Sequence, residues 1–150
     1  MQSQIAVRRA TLTDLDQFVL LLQTLSAEKA LSNAKLMQQR WEELLTFNGS
    51  SVFVAEQEDQ LLSTCTLIIV PNLTRSGQPY AQIENVVTLE CARNRGFAQA
   101  TLNAALEYAW SKNCYKVMLL SGGTNSEAHQ LYKKIGFTCD KIGFQIRQNV

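Results

Sequence analysis

The stretch from Ser51 to Val70, SVFVAEQEDQLLSTCTLIIV, constrains the fold more than any other part of the chain. Two apolar, β-branched runs flank a polar turn at Gln57 to Gln60, the pattern of an antiparallel hairpin. Ahead of it, QIAVRRAT reads as a first strand. Leu15, Phe18, Val19, Leu22 and Leu25 then recur at helical spacing, with Thr13 placed as a cap before Asp14 and Asp16. A second helix runs from about Ser32 to Thr46 on a stripe of Met37, Trp41, Leu44 and Leu45, and NGSS ends it. After the hairpin come a loop, PNLTRSGQP, a strand, YAQIENVVTL, and a helix from about Gly96 to Lys112. CYKVMLLS is apolar enough for a central strand, SEAHQLYKKIG is a short helix stopped by Gly136, and FTCDKIGFQIR closes as one or two strand pieces. The order is βααβββαβαβ, a mixed α/β fold that is antiparallel early and crosses over through helices late.

The chain has 150 residues, 46% of them apolar and 18% charged, which fits a single globular domain over residues 1–150. A formal charge of +1 gives no global attraction to nucleic acid or to an anionic membrane, so any basic site is local. Cys65, Cys91, Cys114 and Cys139 form no C-x-x-C pair, and with one histidine a zinc site is hard to assemble. All four read as small apolar fillers, and no metal is expected. MQSQIAVRRA has no signal-peptide core and no run reaches membrane-spanning length, so the expectation is a cytoplasmic protein without a membrane partner.

Within VTLECARNRGFAQATLNAALEY, the segment RNRGFA stands where a β-branched run turns into a helix. The first N–H groups of a helix have no partner inside it, and the helix dipole adds partial positive charge there. Gly96 lets the backbone approach a ligand, Arg93 and Arg95 add charge, and Ala98 keeps the first turn slim. The stripe Ala98, Leu102, Ala105 and Ala109 docks the helix while its N-terminus stays open. The inference is a phosphate or pyrophosphate cradle built largely from backbone amides. A turn carrying two solvated arginines accounts for the same residues. No G-K-S/T follows, and G-x-G-x-x-G is absent, so this is neither a P-loop nor a dinucleotide fingerprint.

In order, IENVVTLECARNRGFAQATL, CYKVMLLS and TNSEAHQLYKKIGF resemble the GNAT superfamily of N-acetyltransferases, specifically from about Tyr80 to Phe137. The acyl-CoA signature of that family, Q/R-x-x-G-x-G/A, is met by Arg93, Gly96 and Ala98. IENVV and CYKVMLL look most like small-molecule acetyltransferases of the glucosamine-6-phosphate N-acetyltransferase type. The resemblance implies a GNAT fold with a mostly antiparallel sheet, and acetyl-CoA lying in a V between IENVVTL and KVMLL. It implies that backbone groups of Val86, Val87 and Thr88 pair with the pantetheine arm. The amides of Arg93, Asn94, Arg95, Gly96, Phe97 and Ala98 would hold the pyrophosphate. Asn125 would contact the cofactor, and Tyr132 would stand near the thioester sulfur. The proline often found before the arginine is missing, Phe97 is bulkier than the usual aliphatic, and Ala98 replaces the commoner glycine.

Acetyl transfer to an amine needs a deprotonated nucleophile, support for the developing oxyanion and a proton for the departing thiolate. Glu84, on the strand that would border the acyl group, is the candidate base, and an outward, solvated glutamate is the plain alternative. Tyr132 is the candidate acid, although Ala128, Leu131, Tyr132 and Ile135 also make one core stripe. The N–H of Val86 or Val87 is the candidate oxyanion donor. Asn125 equally suits a helix N-cap, with Thr124 and Glu127 as an alternative capping box, and His129 is assigned no chemistry. The expected activity is acetyl transfer from acetyl-CoA to a primary amine of a small molecule, by direct attack in a ternary complex. An amino sugar phosphate is one option for the acceptor, and Arg75 either meets an anionic group or is solvated. A non-catalytic acyl-CoA sensor and a plain interaction domain are the competing classes. A homodimer is expected if FQIR leaves an edge to be covered.

Overall fold

The computed structural model describes residues 4–25 and 33–148, which fall into two compact units, 1–119 and 120–150. The first unit holds one five-stranded sheet: β1 (Ala6–Arg9), β2 (Ser50–Gln57), β3 (Gln60–Val70), β4 (Tyr80–Thr88) and β5 (Val117–Leu119), side by side in that order. The first four are antiparallel neighbours, and β5 runs parallel to β4. A parallel neighbour needs a crossover, which α3 (Phe97–Ser111) supplies.

The hairpin expected from SVFVAEQEDQLLSTCTLIIV is β2 and β3, and they are buried along most of their length. Glu58 and Asp59 turn it with φ of 52° and 60°, the mirror-image turn whose twist matches that of paired strands. Side chains alternate across β2. Val52 and Val54 face Phe18 and Leu21 of α1 (Leu15–Gln23) and Trp41 of α2 (Ala34–Thr46), in one cluster with Leu61 and Val87. One residue along, Phe53 and Ala55 face α3, where Phe53 meets the Tyr108 ring at 5.8 Å and Ala55 packs with Leu62, Ala92 and Phe97. The sheet is therefore sandwiched. Each fully buried Phe or Leu in those clusters stabilises the fold by about 1.5–3 kcal/mol relative to exposure.

The start of α1 differs from expectation. Thr11, not Thr13, begins it, in a 3-10 turn over Leu12–Asp14 where Thr11 and Asp14 cap each other's backbone. Asp14 wins because its carboxylate reaches back to the Thr11 N–H at 2.7 Å and also takes two bonds from Arg8, at 2.7 and 2.9 Å. Arg8 bonds Glu56 as well, so one guanidinium ties β1, the helix entry and β2 together. Leu21 is fully buried whereas Leu25 is half exposed, because α1 stops at Gln23 and Leu25 leaves the helical spacing. For α2, Asn33 is the cap, accepting from the Leu36 N–H at 3.1 Å. The expected start at Ser32 lies outside the described residues.

Two strand expectations are corrected. CYKVMLLS gives only three strand residues, and β5 lies at the sheet edge rather than its centre. The closing segment is the second: among the described residues, FTCDKIGFQIR forms no strand. Ile142, Phe144 and Ile146 keep the two-residue alternation of a strand, yet they are 83%, 91% and 98% exposed. Alternation defines a face; a strand also needs a neighbour to complete its ladder. In the second unit α4 (Ser126–Ile135) matches expectation. Asn125 caps it by accepting from the Ala128 N–H at 3.2 Å, and Gly136 ends it with φ of 114°. Thr124 and Glu127 do not form the alternative box. Tyr132 packs edge-on against Phe137, and His129 Nε2 lies 2.8 Å from the Gly122 carbonyl oxygen.

Candidate active site

RNRGFA occupies the turn and first residues of α3. The first helical bond runs from the Ala100 N–H to the Gly96 carbonyl at 2.9 Å, so the amides of Phe97, Ala98 and Gln99 have no acceptor within the helix. Gly96 is the N-cap, with φ of 90°. A Cβ there would meet only Ile5 Cδ1, at 3.7 Å, so the position demands glycine for its left-handed backbone and not for space. Phe97 explains its own bulk: its side chain is buried with Ala55, Leu62 and Ala92, which anchors the helix start beneath the sheet while its N–H stays at the end. Ala98 is half-buried beside the fully buried Leu102, Ala105 and Ala109.

The two arginines divide. Arg95 is engaged: it donates to Gln57 Oε1 at 2.8 Å and to the Cys91 carbonyl at 3.3 Å, and its guanidinium lies 5.3 Å from the Phe97 ring centre. Arg93 is exposed and pairs with no carboxylate among the described residues. Asn94 holds a left-handed φ of 59°, so the turn from Arg93 to Gly96 contains two positive-φ residues, Asn94 and Gly96. The charge at this corner is thus local, as a chain of formal charge +1 requires.

The strand leading into this corner is open along one edge. β4 pairs with β5 only through Ala81, Ile83 and the Gln82 between them. Beyond Ile83 the register against β3 slips: Thr66 faces Glu84 and Thr64 faces Val87, so Asn85 and Val86 together oppose Cys65. This is a β-bulge, and Asn85 carries it with φ of 52°. From Glu84 to Thr88 no described strand covers the β5 side, which leaves about 13 Å of edge at about 3.3 Å per residue. The Val87 carbonyl accepts from Ser63 Oγ at 3.0 Å and the Leu89 N–H donates to Leu62 O at 2.9 Å, both toward β3. Alternation then turns the backbone groups of Val86 and Thr88 to the free edge. The Val87 side chain is core.

Glu84 is exposed on β4, on the α1/α2 face opposite Thr66, and its carboxylate accepts from Gln82 Nε2. Cys65, facing the bulge, is buried, and burial pushes its thiol up to about 12, which rules it out as a nucleophile at neutral pH. Cys114 is buried too, whereas Cys91 and Cys139 are exposed, so the filler reading holds for two of the four. Asn125 and Tyr132 belong to the second unit, where Asn125 Oδ1 serves as helix cap. Arg75 lies at the other end of β4, before Tyr80, with its guanidinium 5.6 Å from the Tyr115 ring centre. A cavity of about 290 Å³ between the entry of α1 and α2 is lined by Trp41, Asp16 and Glu42, and by none of these candidates. Among the described residues no three His, Cys, Asp or Glu side chains gather as a metal site, and no helix is long and apolar enough to cross a membrane. Sequence reasoning missed the bulge. Its one signal is an asparagine, a residue tolerant of left-handed φ, inside a β-branched run.

β4 thus has an edge without a described strand partner from Glu84 to Thr88, and the next helix along the chain begins with amides that have no acceptor within it, an end that suits an anion. The chain belongs to the Acetyltransferase (GNAT) family, whose model matches residues 19–137. Membership places it among the acyltransferases, as an enzyme. It is 32% identical over 88 residues to a glucosamine 6-phosphate N-acetyltransferase of Trypanosoma brucei brucei, a match covering 59% of this chain and 58% of that protein. It is 29% identical over 138 residues, 89% of this chain and 81% of the other, to a probable glucosamine 6-phosphate N-acetyltransferase of Oryza sativa subsp. japonica. Among solved structures, a putative acetyltransferase from Agrobacterium tumefaciens superposes with a TM-score of 0.92 at 42% identity, covering 96% of this chain and 100% of that one.

Proposed function

We propose that this protein transfers an acetyl group from acetyl-CoA to the primary amine of a small molecule, by direct attack of the amine in a ternary complex. The observation that carries the reading is a β4 edge without a described strand partner, followed along the chain by α3 amides that have no acceptor within the helix. An extended pantetheine arm suits the former as an added strand, with Val86 and Thr88 offering main-chain partners. A pyrophosphate suits the latter, held by the amides from Arg93 to Ala98 with the Arg93 guanidinium beside them. Bound there, acetyl-CoA supplies an activated acyl group as a thioester.

The chain's own contributions are proton removal and charge stabilisation. A lysine-like amine has a pKa of about 10.4 and is almost all ammonium at neutral pH, so a carboxylate must take its proton. Glu84 is that base, directly or through water. The Val86 N–H, turned to the open edge, is the donor for negative charge on the acyl oxygen. Tyr132 is the proton donor to the departing thiolate and Asn125 a cofactor contact, both on the family resemblance. The names of the two relatives favour an amino sugar phosphate as the first acceptor to try.

The experiment is a screen of small amines against purified protein with acetyl-CoA, read as free coenzyme A thiol, followed by Glu84→Gln. Removing a general base lowers kcat about 10²-fold or more. Turnover of the variant close to wild type across pH removes Glu84 from the role. Thiol release with peptides and with no small amine overturns the acceptor class.

A further inference from the structure

β3 carries three buried hydroxyls, and two of them are bonded. Ser63 Oγ donates to the Val87 carbonyl at 3.0 Å, and Thr64 Oγ1 donates to the Phe53 carbonyl at 2.8 Å. The third, Thr66 Oγ1, is buried without a hydrogen-bond partner, although the residue is only 2% exposed. Such a group is a standing cost to the fold, and valine would fill the same space without it.

Thr66 is also the residue that the register sets directly opposite Glu84 on β4 and opposite Val52 on β2. Directly opposed residues of an antiparallel pair share a face, with Cβ atoms about 4.5–5.5 Å apart. Val52 belongs to the core beneath α1 and α2, while Glu84 is exposed, so Thr66 stands at the boundary between the packed interior and the proposed base. The bulge begins at the next residue pair, where Asn85 and Val86 oppose Cys65.

We propose that Thr66 is a positioning residue for proton removal from the acceptor amine: its hydroxyl donates to the Glu84 carboxylate and holds it on the α1/α2 face. The inference rests on Glu84 acting as the base. Glu84 now accepts from Gln82, its neighbour two along on the same strand. Exchanging that partner for Thr66 needs only rotations of an exposed side chain, which take picoseconds to nanoseconds. The exchange turns the carboxylate from along the strand to across it and satisfies the buried hydroxyl when the base is in use. Ser50 Oγ, the other buried hydroxyl without a partner among the described residues, sits opposite Ile68 and faces no carboxylate across its strand pair.

The test is Thr66→Val and Thr66→Ser, each alone and in the Glu84→Gln background, with kcat, the KM for both substrates and the melting temperature measured on the whole chain. Thr66→Val is expected to lower kcat about 10-fold, the equivalent of one hydrogen bond to a charged group, with the acetyl-CoA KM unchanged and the melting point equal to or above wild type. Thr66→Ser restores most of the rate, and in Glu84→Gln the valine substitution has no further effect. Wild-type kcat in Thr66→Val, equal losses in the valine and serine variants, a lower melting point for Thr66→Val, or a full valine effect in Glu84→Gln each overturns the proposal. A wild-type protein that binds acetyl-CoA and turns over no amine removes the proposed function, and this inference with it; an active wild type with an unaffected Thr66→Val removes only the inference.

Discussion

Substituting Gly96 separates backbone strain from ligand contact at the proposed cradle. Gly96 has φ of 90°, and an added Cβ would find its nearest neighbour, Ile5 Cδ1, at 3.7 Å, an ordinary contact. Alanine therefore meets no crowding in the free protein and suffers the left-handed backbone alone, about 1–2 kcal/mol. For a chain of this size that lowers the melting temperature by about 2–8 °C. If the turn relaxes instead, the amides of Phe97, Ala98 and Gln99 rotate away from their common direction, and losing one charge-assisted bond weakens acetyl-CoA about 10-fold or more. Asparagine tolerates left-handed φ while carrying the same Cβ, so Gly96→Asn recovers most of the stability. The assays are thermal unfolding without ligand and calorimetric titration with acetyl-CoA. Recovery of stability without recovery of affinity in Gly96→Asn would assign the remaining effect to a Cβ against the ligand. A melting temperature for Gly96→Ala equal to wild type refutes the strain argument, and acetyl-CoA affinity equal to wild type in both variants refutes the cradle.

Asp14→Asn removes the charge that accepts from Arg8 and from the Thr11 N–H. Arg8 keeps Glu56 and is about one-third exposed, so the expected loss is about 2 kcal/mol rather than the full cost of an orphaned buried ion. The Arg8 guanidinium holds the Asp14 carboxyl below its usual range. Its contribution is therefore complete above the unfolded value, near 3.9, and is lost as pH falls through the lower folded value. Urea unfolding at a series of pH values should show the gap between wild type and Asp14→Asn closing in acid; a gap of constant size refutes the pairing. A chromogenic disulfide reagent should label Cys91 and Cys139 quickly in the native protein, and Cys65 and Cys114 only after unfolding. Rapid labelling of a third thiol contradicts the burial of Cys65 and Cys114.

Much of this molecule is legible in its residues because local rules and packing agree. The hairpin is written in its β-branched runs and polar turn, α3 in its leading glycine and alanine stripe, and α4 in Asn125 and Gly136. Errors arise where a pattern admits two partners. Thr13 and Thr11 are equally good caps by type, and the choice falls to Asp14, whose place is set by Arg8 on a strand neighbouring β2. Ile142, Phe144 and Ile146 spell a strand face, yet spelling supplies no adjoining ladder. Glycine at position 96 was legible as a special residue, but its reason, a positive φ rather than crowding, belongs to three dimensions. Phe97 reads as bulkier than the usual aliphatic, and its bulk is that of a buried anchor. The placing of an unsatisfied Thr66 opposite Glu84 depends on the register of β3 against β4, the last pair before the bulge, which no inspection of residue types reveals.

The bulge in β4 has a consequence of its own. The break it makes in the ladder is a matter of arithmetic, two positions against one, with Asn85 taking the left-handed backbone. Deleting one of the two would bring the ladder back into step with Glu84 still opposite Thr66 and Val87 still opposite Thr64, so the later side chains would keep their faces and only the left-handed kink at Asn85 would go. One extra residue thus gives the strand a local bend, held between two stretches of ladder that each stay in register.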